Sequence, residues 1–227
     1  MQIEILSSGS SGNCIKLGDE VLIDAGIPFA KMGDVSKVHT VLLTHTHGDH
    51  FNAAAIRKLV VNTDAVFLSN RAVRDALFDL GVPKDRMRTA NVGSIIERND
   101  WKFSAVLLYH DVPNIGWRVA KDGHKHFHAT DTSTLDGISA KSYDTATIEC
   151  NHHLPTAKKL IEQADEAGEF THLKGAINSH LSVEKAVNFV QGNDIKKRIP
   201  CHIGNSTKKE VIEYLKNSPV KDRLEFL

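Results

Sequence analysis

The decisive stretch of this sequence is Val41-Leu-Leu-Thr-His-Thr-His-Gly-Asp-His50. Its apolar beginning predicts a buried strand, and four potential metal ligands follow at once: His45, His47, Asp49 and His50. Side chains alternate along an extended chain, so the first two imidazoles point to one side. A turn at Gly48 lets the last two ligands point back to a neighbouring position. This arrangement predicts ligands for two adjacent cations.

A dinuclear site needs further ligands, and the sequence places candidates at three other predicted strand ends. His110, Asp131 and His202 each follow a short predicted strand, where a rigid sheet can hold a ligand. Shells rich in imidazole with added carboxylates suit Zn²⁺ best, and Mn²⁺ or Fe less well. The full assignment is His45, His47 and His110 to one metal, Asp49, His50 and His202 to the other, and Asp131 as the bridge.

The composition of the chain is that of a globular protein, and it excludes several other classes of protein. Of the 227 residues, 41% are apolar and 25% are charged, which is ordinary for a globular domain and excludes disorder. The formal net charge is zero, and no block of like charge marks a nucleic-acid or membrane-binding arm. Three widely spaced cysteines and the lack of an apolar run of about 20 residues predict a cytoplasmic protein with reduced thiols. The 13 histidines are the anomaly, and they indicate metal or acid–base chemistry.

Strand-like and helix-like patterns form two successive blocks along the chain. Short β-rich runs between turn residues predict strands at 2–7, 14–17, 20–24, 38–44, 65–69, 101–109, 116–120, 124–129, 145–150, 175–178 and 198–201. Helical spacing predicts helices that begin near residues 52, 72, 155, 183 and 208. No segment resembles a linker. We therefore expect one α/β domain over residues 1–227, with two sheets face to face and helices outside, a four-layer αββα sandwich.

Two sets of motifs resemble a known protein family. The segment Thr44-His-Thr-His-Gly-Asp-His50 resembles the signature of the metallo-β-lactamase superfamily, and the order of the later predicted ligands fits that superfamily as well. This resemblance covers essentially the whole chain and implies the metallo-β-lactamase fold and a metal-dependent hydrolase. Accessory motifs resemble the narrower YycJ-type (WalJ) branch, which is grouped with DNA exonucleases: Ser7-Ser-Gly-Ser-Ser-Gly-Asn-Cys14, Leu22-Ile-Asp-Ala-Gly26, Tyr109-His-Asp111, Ala129-Thr-Asp-Thr132, Glu149-Cys-Asn-His152 and His180-Leu-Ser182.

His180 lies just before a predicted helix that Ser182 can cap, so its position is well fixed. The resemblance implies that His180 protonates the leaving group, as a histidine in this His-x-Ser/Thr context does in ribonuclease Z-like and YycJ-type relatives. The alternative is a solvated histidine at a helix entry. Asp49 and His180 are therefore the predicted catalytic residues, and Asp49 is also a metal ligand.

Two other features have a functional and a structural interpretation. Asp24 ends a predicted strand at a position where relatives hydrogen-bond a ligand imidazole, and the alternative is a surface turn residue. The Ser/Gly-rich residues 7–13 either offer backbone N–H groups to a phosphate or form a tight turn between two strands. Cys201, beside a predicted ligand, we interpret as a small buried strand residue.

Further polar residues form three groups. Alternating histidines of one strand share a face, which we interpret as a polar outer face: His124, His126 and His128. Residues at a helix entry either line a substrate groove or are solvated: Asn151, His152 and His153. Basic residues either form a rim for neighbouring phosphates or cover solvated helix faces: Lys158, Lys159, Lys196, Lys197, Arg198, Lys208 and Lys209.

The predicted reaction is hydrolysis of a phosphodiester. Two cations about 3.5–4 Å apart supply a bridging hydroxide and hold both the attacking and the leaving oxygens, with His180 as general acid. We expect a nuclease, DNA exonuclease-like, with a nucleic acid or nucleotide phosphodiester as substrate and no membrane partner. Three alternatives stay open: a hydrolase of cyclic nucleotides or small cyclic phosphates, a lactonase or thioesterase that dispenses with His180, and a structural metal-binding module. The oligomeric state also stays open, a homodimer included.

Overall fold

The computed structural model describes residues 1–225, in which twelve strands form two six-stranded sheets and six α-helices accompany them. The strands are β1 (Ile3–Ser7), β2 (Cys14–Leu17), β3 (Val21–Ile23), β4 (Thr40–Leu42), β5 (Val66–Ser69), β6 (Met87–Thr89), β7 (Ile95–Arg98), β8 (Trp101–Leu108), β9 (Asn114–Lys121), β10 (His124–Ala129), β11 (Thr145–Glu149) and β12 (Lys197–Cys201). The helices are α1 (Ala53–Asn62), α2 (Arg71–Asp79), α3 (Leu154–Ala167), α4 (Leu173–Ser179), α5 (Val183–Gly192) and α6 (Lys208–Asn217). The first sheet runs in the order β1 to β6, and the second in the order β12-β11-β10-β9-β8-β7.

The chain divides into two compact units. The first contains residues 1–107 and 112–124, and the second contains residues 108–111 and 125–225 of the described chain. The prediction of one domain over residues 1–227 stays a prediction. Within residues 1–225 no helix is long and apolar enough to cross a membrane.

In the first unit, apolar side chains alternate between the two faces of the first sheet and build two cores. One face packs against α1 and α2, with Leu22, Val41, Phe67, Ile56, Leu59 and Val73 among its members. The opposite face packs against β8 and β9, with Ile23, Leu42, Leu68, Trp101, Phe103 and Trp117 among its members. The predicted arrangement of sheet on sheet with helices outside is therefore present in this unit.

In the second unit, three parallel strands lie side by side under a helix. β11 pairs with β10 on one side and with β12 on the other. The α5 helix buries the apolar stripe that its spacing predicts, and the ring of Phe189 stacks on that of Phe127 at 5.3 Å. The side chain of Ser182 caps α5 by accepting a hydrogen bond from the Lys185 backbone N–H, as predicted.

One predicted strand is wrong. Residues 175–178 lie within α4, where the backbone N–H of Ala176 donates to the carbonyl of His172. The apolar pair in this segment is too short to distinguish a strand from a helix by its period. Both edges of β11 are already taken by β10 and β12, so the sheet has no free position beside it. The short strand β6 was not predicted.

The interpretation of the histidines on β10 as a polar outer face is also wrong for two of the three, while His124 is half-buried. His126 and His128 are buried, and their rings lie within 3.0 Å of the hydroxyl oxygens of Thr145 and Thr147 on β11. The parallel register sets each histidine directly beside one of these threonines. A polar face can be buried when its neighbour supplies matching hydrogen-bond partners, and here it does.

Other polar residues, for which solvent exposure was one of two predicted alternatives, are also buried. Arg198 is fully buried and does not belong to a surface rim, and Asn151 and His152 are buried at the entry to α3. All three cysteines are free and buried, in agreement with the predicted reduced thiols and with Cys201 as a small strand residue. Burial raises the pKa of the Cys150 thiol to about 11.

The core between the sheets supports a direct test of stability. Phe103 is fully buried, so Phe103→Ala should lower the free energy of unfolding by about 3–5 kcal/mol through lost contacts and a cavity. Phe170, which is 82% exposed, provides the matched control, and Phe170→Ala should change stability by no more than about 0.5 kcal/mol. Urea denaturation of both variants gives the comparison. Equal losses at the two positions would contradict the described core.

Candidate functional site

The first unit gathers four predicted ligands in the turn that follows β4. The His50 and Phe51 backbone N–H groups both donate to the carbonyl of His47, which closes the turn. The ring of His45 lies 4.8 Å from that of His47 and 4.2 Å from that of His50, measured between centroids. An Asp49 carboxylate oxygen lies 3.6 Å from the Nε2 atom of His50.

Asp24 holds this turn from the end of β3. Its buried carboxylate accepts a hydrogen bond from Nδ1 of His50 at 2.7 Å, which confirms the predicted contact with a ligand imidazole. It also accepts from the Thr44 backbone N–H at 2.9 Å and from the Thr44 hydroxyl at 3.0 Å. Because that hydroxyl donates to Asp24, its oxygen can accept from Nδ1 of His45, 3.0 Å away. Both rings therefore carry their proton on Nδ1 and their lone pair on Nε2.

The second unit gathers His110, Asp131 and His202, together with the predicted proton donor His180. Each unit thus brings together its own share of the predicted residues. Single ligand atoms of Asp131, His180, His202 and one further residue, Glu149, all lie within 4.8 Å of one another. The rings of His180 and His202 stack at 5.3 Å, and those of His110 and His180 meet edge to face at 5.2 Å.

Glu149 is the centre of this second cluster. Its Oε1 atom accepts from Nδ1 of His180 at 2.6 Å and from Nδ1 of His202 at 3.0 Å. Its Oε2 atom accepts from the backbone N–H groups of Thr132 and Leu181 at 3.2 and 3.1 Å. The carboxylate is fully buried, and these four bonds compensate it.

The charges of this cluster shift its pKa values in opposite directions. Burial would raise the pKa of Glu149, but hydrogen bonds from His180 and His202 outweigh burial and hold that pKa below its usual value. Burial would lower the pKa of His180, but hydrogen bonds and charges from Asp131 and Glu149 raise it to about 10. The Nδ1 atom of His180 also lies 3.2 Å from an Asp131 oxygen.

His110 is held in a similar way. Its Nδ1 atom donates to the carbonyl oxygen of Ser179, 3.0 Å away. The Nε2 atom lies 3.0 Å from an oxygen of Asp111, whose side chain is largely exposed. The accessory motif residue Asp111 therefore lies beside a predicted ligand.

Strained backbone marks three of the strand ends that carry site residues. Asp24, Asp131 and His202 all have positive φ, at 60°, 55° and 50°. This left-handed region is uncommon for residues other than glycine, and it tends to occur at functional sites. Here it turns three site residues sharply away from the ends of β3, β10 and β12.

The donors present fit divalent transition metals. Imidazole nitrogens and carboxylate oxygens are the ligands that zinc accepts. In four predicted ligands the Nδ1 atom is hydrogen-bonded inside its own unit, so Nε2 is the nitrogen suited to a metal: His45, His50, His110 and His202.

Two residues of the site carry no role in the sequence interpretation. Glu149 belongs to a quoted motif, and as the acidic end of a strand it follows the same rule as Asp131 and His202. Asn13 closes the Ser/Gly-rich segment, and its side-chain amide lies 2.8 Å from Nε2 of His50. The Gly9, Gly12 and Asn13 backbone N–H groups all donate within the protein, which favours the tight turn over a phosphate loop.

Loss of the Asp24 carboxylate should weaken metal binding. Asp24→Asn keeps the size of the side chain and tolerates positive φ, but removes the charge that orients His50. We expect zinc affinity, measured by competition with a chelator, to fall about 10–100-fold while the protein stays folded. Asp64→Asn, at an exposed position, should bind zinc like the wild type. Unchanged affinity in Asp24→Asn would contradict the assigned role.

Comparison with known proteins agrees with the fold. The family model for the beta-lactamase superfamily domain matches residues 20–203. No curated protein matches the chain closely enough to be called a relative. The metallo-beta-lactamase fold protein YhfI from Bacillus subtilis has a TM-score of 0.75 and 14% identity, over 99% of this chain and 95% of that one.

Two other solved structures are similar over most of their length. Human tRNase Z, short form, has a TM-score of 0.68 and 15% identity, over 91% of this chain and 94% of that one. A diphosphatase from the PhnP family has a TM-score of 0.69 and 15% identity, over 99% of this chain and 94% of that one. The predicted α/β fold is confirmed, and this chain belongs to the beta-lactamase superfamily, with the metallo-β-lactamase fold.

Proposed function

We propose that this protein is a dinuclear-metal phosphodiesterase that acts on nucleic acid as a nuclease, in the manner of the YycJ-type, DNA exonuclease-like branch. The observation that carries the proposal is the hydrogen bond between His180 and the buried carboxylate of Glu149. Superfamily membership and the donor set support metal-dependent hydrolysis. The similar structures include a tRNase and a diphosphatase by name, which supports chemistry at phosphorus.

The ligand assignment in this proposal is the one predicted from the sequence, with Asp131 as the bridge. Bound there, two divalent ions, zinc by donor type, would supply a water of lowered pKa and positive charge for the phosphate. His50 and His202 would each bind through Nε2, because Asp24 and Glu149 hold their Nδ1 atoms.

His180 is the residue that we assign to the leaving group. A carboxylate at Nδ1 fixes the orientation of the ring and stabilises its protonated form, as a general acid requires. The Nε2 atom of His180 then holds the proton that a departing sugar alkoxide takes up to become a hydroxyl group. A lactonase or thioesterase would have no use for this donor, so the Glu149–His180 pair favours phosphodiester cleavage.

The remaining parts of the proposal concern the substrate and its setting. Lys158, Lys159, Lys208 and Lys209 are exposed and could contact phosphates beside the cleaved bond. Lys196 and Lys197 are exposed too, although Lys196 already pairs with Asp144. We also propose that the protein acts in the cytoplasm, with a nucleic acid or nucleotide as its partner.

Removal of His180 should affect substrates selectively. His180→Ala should keep its fold and metal content and lose about 10²–10⁴-fold in turnover of nucleic acid, the usual contribution of a positioned general acid. A nitrophenyl phosphodiester, whose leaving group needs little protonation, should be much less affected. Steady-state assays on both substrates, with elemental analysis of each preparation, measure the difference.

Two histidine variants serve as controls for this experiment. His202→Ala should lose metal and impair both substrates alike, because a ligand is removed. His172→Ala, at an exposed position, should behave like the wild type. If His180→Ala cleaves nucleic acid at nearly the wild-type rate, or loses metal as His202→Ala does, the proton-donor role is wrong.

A side-by-side assay distinguishes the proposed substrate from the alternatives. The metal-loaded protein would be tested on linear DNA, single-stranded RNA, a cyclic mononucleotide, a generic phosphodiester and a lactone. The proposal predicts the highest kcat/KM on DNA or RNA. Highest activity on the cyclic mononucleotide or on the lactone would identify one of the other two hydrolase classes instead.

A further inference from the structure

The side chain of Asn13 contacts the last two residues of the ligand turn. Its Nδ2 atom lies 2.8 Å from Nε2 of His50, 3.3 Å from Oδ2 of Asp49 and 3.2 Å from the carbonyl oxygen of Asp49. Its Oδ1 atom accepts from the Gly9 backbone N–H at 2.8 Å, which fixes the orientation of the amide. The residue is buried, so the amide has little room to turn elsewhere.

The direction of the bond to His50 follows from the groups on either side of the ring. The Asp24 carboxylate can only accept, so Nδ1 of His50 carries the proton. The Nδ2 group of Asn13 can only donate, so Nε2 of His50 is the acceptor of this bond and offers its lone pair.

A metal ion would need the same lone pair. The ligand assignment gives Nε2 of His50 to a metal, so the ion and the Asn13 amide compete for one atom. The amide has three other acceptors within reach: the carbonyl oxygens of Gly9 and Asp49, and the carboxylate of Asp49, which is a proposed ligand of the same metal. A hydrogen bond to a carboxylate is charge-assisted and stronger than one to a neutral imidazole. The N–H that a metal displaces from His50 can therefore move to the Asp49 carboxylate, 3.3 Å away.

Main-chain hydrogen bonds hold Asn13 against the turn that carries Asp49 and His50. The Asn13 backbone N–H donates to the Asp49 carbonyl at 2.7 Å, and the Gly26 N–H donates to the Asn13 carbonyl at 2.9 Å. Gly26 packs so closely against the turn that a Cβ atom there would lie 1.7 Å from the Asp49 carbonyl oxygen. The segment that carries Asn13 is thus fixed to the ligand turn through its main chain.

We infer that Asn13 is a positioning residue of the metal site, which holds His50 in the metal-free protein and transfers its hydrogen bond to Asp49 when a metal binds. It strengthens the binding of the one metal whose ligands include Asp49 and His50. This inference rests on the proposed dinuclear site and adds a residue to it.

A two-step zinc titration tests the inference. Zinc binding to Asn13→Ala, measured by competition with chelators of graded affinity, should show one step weakened about 10–100-fold and the other step unchanged. Asn52→Ala is the matched control, because Asn52 caps α1 by accepting from the Ala55 N–H at 3.0 Å in the same unit. It should lose stability and keep both zinc steps.

A measurement on the wild-type protein avoids any question of folding in the variant. In ¹⁵N-labelled protein, one equivalent of zinc or less should shift both the Asn13 side-chain amide and the His50 Nε2 resonances. Zinc that shifts His50 and leaves the Asn13 amide unchanged would overturn the exchange of acceptor.

The outcomes separate the inference from the proposed function. If the wild type binds two zinc ions and Asn13→Ala binds them equally well, the role of Asn13 is wrong and the proposed function is untouched. Equal weakening of both zinc-binding steps, together with a lower melting temperature, would show that the substitution destabilises the protein in general. That result would also overturn the assigned role of Asn13. If the wild type binds no zinc, the proposed metal site itself is wrong.

Discussion

An imidazole ring binds a metal through one nitrogen, so the other nitrogen must be held by the protein. This requirement organises both units of the molecule. Asp24 holds Nδ1 of the predicted ligand His50, and Glu149 holds Nδ1 of the predicted ligand His202 and of the proposed proton donor His180. Each carboxylate is buried at or just beyond the end of a strand and receives further hydrogen bonds. A buried carboxylate without such partners would be costly, so the polar networks and the ligand orientation depend on each other.

The sheets provide the rigidity that these networks need. Parallel strands end in tight turns, and the backbone at Asp24, Asp131 and His202 takes up a left-handed conformation immediately or shortly after its strand. Such strain persists only when the surrounding structure determines it fully. In the first unit that support comes from close main-chain packing, since Gly26 lies directly against the carbonyl of Asp49. Strand, turn and hydrogen-bonded carboxylate together position the predicted ligands His50 and His202.

Much of this arrangement could be predicted from the sequence because ligands at strand ends follow local rules. The turn after β4 depends on neighbours in the chain, and the contact of Asp24 with His50, 26 positions away, follows from a recognised motif. What failed depended on which residues face each other across neighbouring elements. His126 and His128 are buried because threonines on β11 stand beside them in register. Residues 175–178 are helical, and their apolar pair is too short to distinguish a helix from a strand. No role was predicted for Glu149, because its partners His180 and His202 follow it by 31 and 53 positions.

The central proposal, that the predicted ligands hold two metal ions, is tested most directly by counting those ions. Elemental analysis of protein reconstituted with zinc and freed of loosely bound metal should give about two zinc ions per chain. His45→Ala, in the first unit, and His202→Ala, in the second, should each reduce that number by about one because each removes a ligand of a different metal. One zinc ion or fewer in the wild-type protein, or unchanged metal content in both variants, would contradict the account.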